Sequence, residues 1–165
     1  MTTQQLAKKL VNEFTKQELT VATAESCTGG LIAKLITDIA GSSAVLAGGF
    51  VTYTNDVKIN LLGVDAAIIA RDTEVSSACA IAMAEGARAR LGTALGVSTT
   101  GFAGPTGGSA ADPVGTVYIG VSTPTHSFCE RFCAPTGSTR KQVRGAAAQR
   151  ALELLLLVAT DKNKL

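Results

Sequence analysis

The chain has 165 residues, 46% of them hydrophobic and 17% charged, which supplies enough apolar material for a core and excludes intrinsic disorder. Its 15 basic and 13 acidic side chains leave +2 with no block of like charge, too neutral for a chain whose main task is to grip nucleic acid or an acidic membrane. No apolar run approaches the roughly 20 residues that span a bilayer, and MTTQQLAKKLVNEF lacks the apolar stretch of a secretory signal. A cytoplasmic protein of one domain, residues 1–165, is expected.

In chain order, Leu6, Leu10, Val11 and Phe14 recur at helical spacing, predicting an amphipathic helix over 4–17. LTVATA at 19–24 is short, rich in β-formers and followed by the turn-forming ESCTGG, so it reads as a buried strand. LIAKLITDIA at 31–40 reads as a helix closed by Gly41. AVLAGGFVTY at 44–53 reads as a second strand, its glycine pair marking a bulge or a close approach. A short helix over 55–62 ends at Gly63. A longer one over 76–91 takes Ser76 or Ser77 as its cap and stops at Gly92. Strands follow at 95–102, 115–123 and 127–134, then a final helix over 139–160.

The early strand–helix–strand connections require parallel neighbours, whereas the few residues around Pro124–His126 suit an antiparallel hairpin. The expected architecture is an α/β/α three-layer sandwich on a mixed sheet of about five strands, mostly parallel with one antiparallel strand. The apolar run LELLLLVA near the C-terminus points to a buried subunit contact and a homo-oligomer, a dimer in the first instance.

No pair among Cys27, Cys79, Cys129 and Cys133 has zinc-knuckle or redox-motif spacing, and His126 is the sole histidine, so no metal site is expected. Cys129 and Cys133 fall on one face of their strand.

Ligands in α/β sheets gather where strands end and helices begin, and two glycine-rich segments lie at such places. The first is Ala24-Glu25-Ser26-Cys27-Thr28-Gly29-Gly30. Ser26 falls on the strand-to-helix turn, where free amides and the helix dipole favour an oxyanion or a phosphate, and Gly29 and Gly30 permit close backbone approach. The same pattern also describes a serine that merely caps a helix. A serine nucleophile needs a base. Lys58 is a candidate, because a desolvated lysine loses basicity; Tyr53 is placed to relay a proton or orient that lysine. An exposed, solvated Lys58 is the alternative. Cys27 is a second candidate nucleophile, since helix N-termini activate thiols.

The second segment runs from Thr99 to Ser109 and on to Thr116. It contains neither a P-loop nor a dinucleotide fingerprint. Thr100 and Gly101 stand at a strand end, able to offer a hydroxyl and an amide to a substrate, or simply to begin a long loop. Arg140 opens the last helix, placed to fork onto a phosphate or carboxylate, and Arg144 shares its face.

Three stretches in this order, TVATAESCTGGLIAKLITDIAGSS, GFVTYTNDVK and TTGFAGPTGGSAADPVGTVYIGV, resemble the CinA C-terminal domain family from about residue 5 to 158. The resemblance implies a three-layer sandwich with a mixed five-stranded sheet. It also implies nicotinamide-nucleotide amidohydrolysis, in which nicotinamide mononucleotide and water give nicotinic acid mononucleotide and ammonia. A small pyridine nucleotide is then the partner, and no metal or organic cofactor is required. On the matching positions Ser26 becomes the nucleophile, Lys58 its base and Tyr53 their neighbour. Thr100, Gly101 and Arg140 bind substrate, and Thr28, Gly29 and Gly30 offer amides to the oxyanion. A non-catalytic nucleotide-binding module is the other reading. Two departures from the family pattern stand out: Thr106 occupies a usual Asp position in the glycine loop, and Ser138-Thr139 precede Arg140 where Gly-Asp-Arg is usual.

Overall fold

The computed structural model describes residues 1–161. Helix α1 (Thr3–Lys16) starts at a capping box in which the Thr2 hydroxyl accepts the Gln5 amide and Gln5 returns the bond to the Thr2 amide. Its buried stripe is Leu6, Ala7, Leu10, Val11 and Phe14. Strand β1 (Val21–Glu25) follows, buried at every position. Then come α2 (Leu31–Thr37), a single 3-10 turn at Ser42–Ala44, β2 (Leu46–Val51), α3 (Asn55–Leu62), α4 (Ala66–Asp72) and α5 (Ser77–Leu91). Strands β3 (Leu95–Gly101), β4 (Thr116–Ser122) and β5 (Ser127–Cys133) lead to α6 (Arg140–Thr160).

The strands form one sheet in the order β2-β1-β3-β4-β5. β1 pairs in parallel with β2 and β3, setting Glu25 opposite Val51 on one side and Thr99 on the other. β4 runs antiparallel between β3 and β5. The mixed sheet with one reversed strand is therefore the one the connection lengths predict. α1, α2 and α6 pack on one face and α3, α4 and α5 on the other, giving three layers. The first face holds the larger core, with Phe14, Ile32, Ile36, Leu95, Ile119, Leu152 and Leu155 all buried. The second core is built on Leu62, Cys79, Met83 and Ala87.

Helix α2 stops at Thr37 instead of continuing to residue 40. The Ile39 amide bonds the Ile36 carbonyl, three residues back, so the last turn tightens and the chain swings through Gly41 to the sheet edge. The sequence pattern does not predict α4; at seven residues it is too short for a periodicity to show, although the Asp65 carboxylate caps it through the Ala67 amide. Most of the leucine run of α6 packs on the chain's own core. Leu154, Leu155 and Leu156 are buried within the chain itself, and only Leu157, 51% exposed, faces outward.

Following the chain, β1 connects to β2 on one side while β2 returns to β3 on the other. The carboxyl ends of β1 and β3 therefore flank the point where the winding reverses, the place where open α/β sheets form a crevice.

Candidate active site

At that crevice the segments following three parallel strands converge. Ser26 is the first residue beyond β1, and its amide donates to the Thr99 carbonyl at 2.9 Å. Thr52 and Tyr53 follow β2, and Thr100 and Gly101 close β3. Lys58 stands one turn into α3, and its chain folds back toward the helix start. It is only 1% exposed. Its Nζ donates to the Thr52 carbonyl at 2.9 Å and the Tyr53 carbonyl at 3.5 Å, and lies 3.3 Å from Ser26 Oγ. Two residues 32 positions apart are thus in hydrogen-bond contact. Burial holds the Lys58 amine below its ordinary value of 10.5, against the opposing pull of nearby Cys79 and Glu74.

A hollow of about 190 Å³ opens over this pair, lined by Ser26, Cys27, Tyr53, Lys58, Glu74, Val75, Thr100, Gly101, Phe102, Ala103 and Arg140. The Thr100 hydroxyl donates to the Glu74 carbonyl at 2.6 Å, fixing its direction while leaving its lone pairs available. Gly101 is required where it stands, since a Cβ there would come within 2.5 Å of the Thr116 carbonyl oxygen on the neighbouring strand. Arg140, the first residue of α6, reaches over the rim, donating to the Gly104 carbonyl at 2.8 Å and to the Tyr53 hydroxyl at 3.0 Å. Tyr53 is 61% exposed and its hydroxyl accepts from Arg140; it is the Tyr53 carbonyl, not the phenol, that meets Lys58. A wider hollow of about 610 Å³ adjoins, sharing Glu74, Val75 and Phe102, with Asp72 and Asp112 on its walls.

Thr28, Gly29 and Gly30 do not line the smaller hollow. The Thr28 hydroxyl is buried against that of Thr99 at 2.7 Å, and the Gly29 amide donates to the Ser26 carbonyl at 3.2 Å. The Gly30 amide goes to Glu25 Oε2 at 3.0 Å. Gly29 and Gly30 have φ of +60° and +93°, so their glycine requirement lies in the turn itself. Glu25, missed in the sequence, is 1% exposed and also accepts the amides of Ile32 and Ala33. An acidic residue at the end of a buried strand, a short glycine-containing turn ahead of a helix, was the available signal. Arg144 braces the turn from α6, donating to the carbonyls of Cys27 at 3.0 Å and Thr28 at 2.7 Å.

Burial pushes the Cys27 thiol up to about 11, and the charge of Glu25 adds to the effect, so it is a thiol rather than a thiolate at neutral pH. Among the described residues, no group of three or more His, Cys, Asp or Glu side chains lies together to hold a metal ion.

A family model described as the CinA C-terminal domain matches residues 3–159. The chain belongs to the CinA C-terminal domain family. A CinA-like protein of Myxococcus xanthus is 50% identical over 137 residues, covering 82% of this chain and 32% of its own length. One of Gemmatimonas aurantiaca is 44% identical over 150 residues, covering 91% and 35%. This CinA-family chain thus spans about a third of the length of the curated relatives it matches. Among solved structures, the competence/damage inducible protein CihA from Agrobacterium tumefaciens superposes with a TM-score of 0.90 at 42% identity, covering 94% of each chain. The competence damage-inducible protein A from Klebsiella pneumoniae gives 0.89 at 30% identity, covering 94% of this chain and 95% of its own.

The two departures from the CinA pattern fall in different places. Thr106 is exposed in the loop after β3 and does not line the smaller hollow. Thr139 caps α6, its hydroxyl accepting the Gln142 amide at 3.3 Å, a duty an Asp there performs equally well.

Proposed function

We propose that this chain is an amidohydrolase that deamidates nicotinamide mononucleotide in the cytoplasm, with Ser26 as nucleophile and Lys58 as general base. The observation that carries the reading is the buried Lys58 amine 3.3 Å from Ser26 Oγ inside a hollow. In the neutral amine, the Thr52 and Tyr53 carbonyls take the two N–H donors and the remaining lone pair faces the serine. The Ser26 hydroxyl then donates to Lys58, and its oxygen attacks the carboxamide carbon. The Gly29 and Gly30 amides are engaged elsewhere and Thr28 does not line the hollow, which leaves the amide of Cys27, a lining residue directly after the nucleophile, for the oxyanion. The Lys58 ammonium passes its proton to the leaving amine and ammonia departs. Water, deprotonated by the same lysine, cleaves the ester to give the pyridine carboxylate and restore Ser26.

A hollow of about 190 Å³ lies below the roughly 300–1,000 Å³ of pockets that enclose a whole drug-sized ligand, a size that suits the pyridine carboxamide rather than the whole nucleotide. Arg140 at the rim supplies the cation for the phosphate left outside. The test is ammonia release from nicotinamide mononucleotide, nicotinamide riboside and nicotinamide. Turnover is expected in that descending order. Binding of the mononucleotide with no ammonia released would instead identify a regulatory nucleotide-binding module.

A further inference from the structure

We infer that Glu25 is the positioning residue of the nucleophile turn, its carboxylate closing the amino end of α2 so that Ser26, and not Cys27, faces Lys58. This rests on the amidase reading above. A carboxylate that is 1% exposed is tolerated only when its oxygens are well bonded, and among the described residues this one accepts from backbone amides: Gly30 at 3.0 Å, Ile32 at 3.0 Å and Ala33 at 2.9 Å. Its own backbone is locked in the sheet, the carbonyl accepting the Thr52 amide at 2.9 Å. One residue therefore ties the end of β1 to the start of α2, and Ser26 to Gly29 form the short loop clamped between.

The amino end of a helix ordinarily attracts an anion and activates a thiol beside it. Here the Glu25 carboxylate occupies that position. The helix dipole is answered before it reaches Cys27, whose thiol stays protonated. The Glu25 carboxylate bonds the amides of Gly30, Ile32 and Ala33, whereas the Lys58 amine meets Ser26 and the Thr52 and Tyr53 carbonyls, so Glu25 acts on the pair through the geometry of the turn.

Glu25→Gln keeps the shape but turns one acceptor oxygen into a donor aimed at an N–H. In this variant kcat for ammonia release from nicotinamide mononucleotide is expected to fall about 10²-fold, the scale of a displaced reacting group. KM is expected to stay within about threefold of wild type. The midpoint of kcat/KM against pH should stay in place. Alkylation of Cys27 by iodoacetamide, followed by peptide mass spectrometry, should accelerate several-fold. Should the glutamine variant fail to fold, Glu25→Asp keeps the charge, cannot span to all three amides, and is expected to show the same kinetic pattern to a lesser degree. A folded variant with kcat within about twofold of wild type, or with Cys27 alkylated no faster, overturns the inference. If wild-type protein releases no ammonia, the amidase reading falls, while the alkylation comparison still decides the role of Glu25.

Discussion

An ammonium group excluded from water loses hydration that two carbonyls do not fully replace, and the Lys58 pKa accordingly moves down from 10.5. Two consequences follow from the sign. The amine is the base only when unprotonated, so kcat/KM should climb with pH to a plateau whose midpoint lies below 10.5. Between the folded and unfolded pKa values the unfolded chain holds the extra proton, so Lys58 makes the fold more stable as pH rises through that window. Below it, protonation of the buried amine is a penalty. Lys58→Met should therefore lose about 10²–10⁴ of the activity while melting higher than wild type at low pH, with the advantage shrinking as pH rises. A steady-state pH profile and paired melting curves check both. The residue types at this centre were legible from their places: a serine at a strand-to-helix turn, a lysine on the helix after the next strand. Their contact was not, because it depends on how β1 and β2 pair, and the engagement of Gly29 and Gly30 depends on Glu25, whose role shows only once the turn is built.

Edge strand β5 is joined to α6 by Arg150, which forks onto Glu130 with Nε at 2.7 Å and a second nitrogen at 2.8 Å, and also meets Glu153 at 2.8 Å. The arginine holds both carboxylates below the usual 4.5. Carboxylates with lowered folded pKa stabilise the fold above their unfolded value, and that contribution disappears as pH falls through the folded value. Because these side chains are about a third exposed, solvent screening limits the network to about 1 kcal/mol. Arg150→Met should lower stability by that amount at neutral pH in urea titration, and match wild type once the carboxylates are protonated. Elements of this kind were legible where the pattern is long: α1, α5 and α6 each carry a cap and several turns. α4 and the early stop of α2 were not, since seven residues give no period and the tightening of the last turn is imposed by the path to the sheet edge.

At the scale of the whole molecule, the reversal of winding between β1 and β3 gathers groups from four parts of the chain around one hollow. α6 completes it from the far end of the sequence, with Arg144 gripping the carbonyls of the nucleophile turn and Arg140 spanning from Gly104 to Tyr53. Connection lengths made the parallel early strands and the antiparallel hairpin legible, whereas the strand order shows only once the sheet is paired; composition alone likewise does not say which leucines of α6 meet the chain's own core. The central claim is that the hydroxyl of Ser26, not the thiol beside it, is acylated. The direct measurement is ammonia release from nicotinamide mononucleotide by Ser26→Ala and Cys27→Ala proteins of native circular dichroism. The serine variant should fall to background, a loss of at least about 10³-fold, while the cysteine variant stays within a few-fold of wild type. Retained turnover without the serine hydroxyl, or its loss with the thiol alone, would contradict the account.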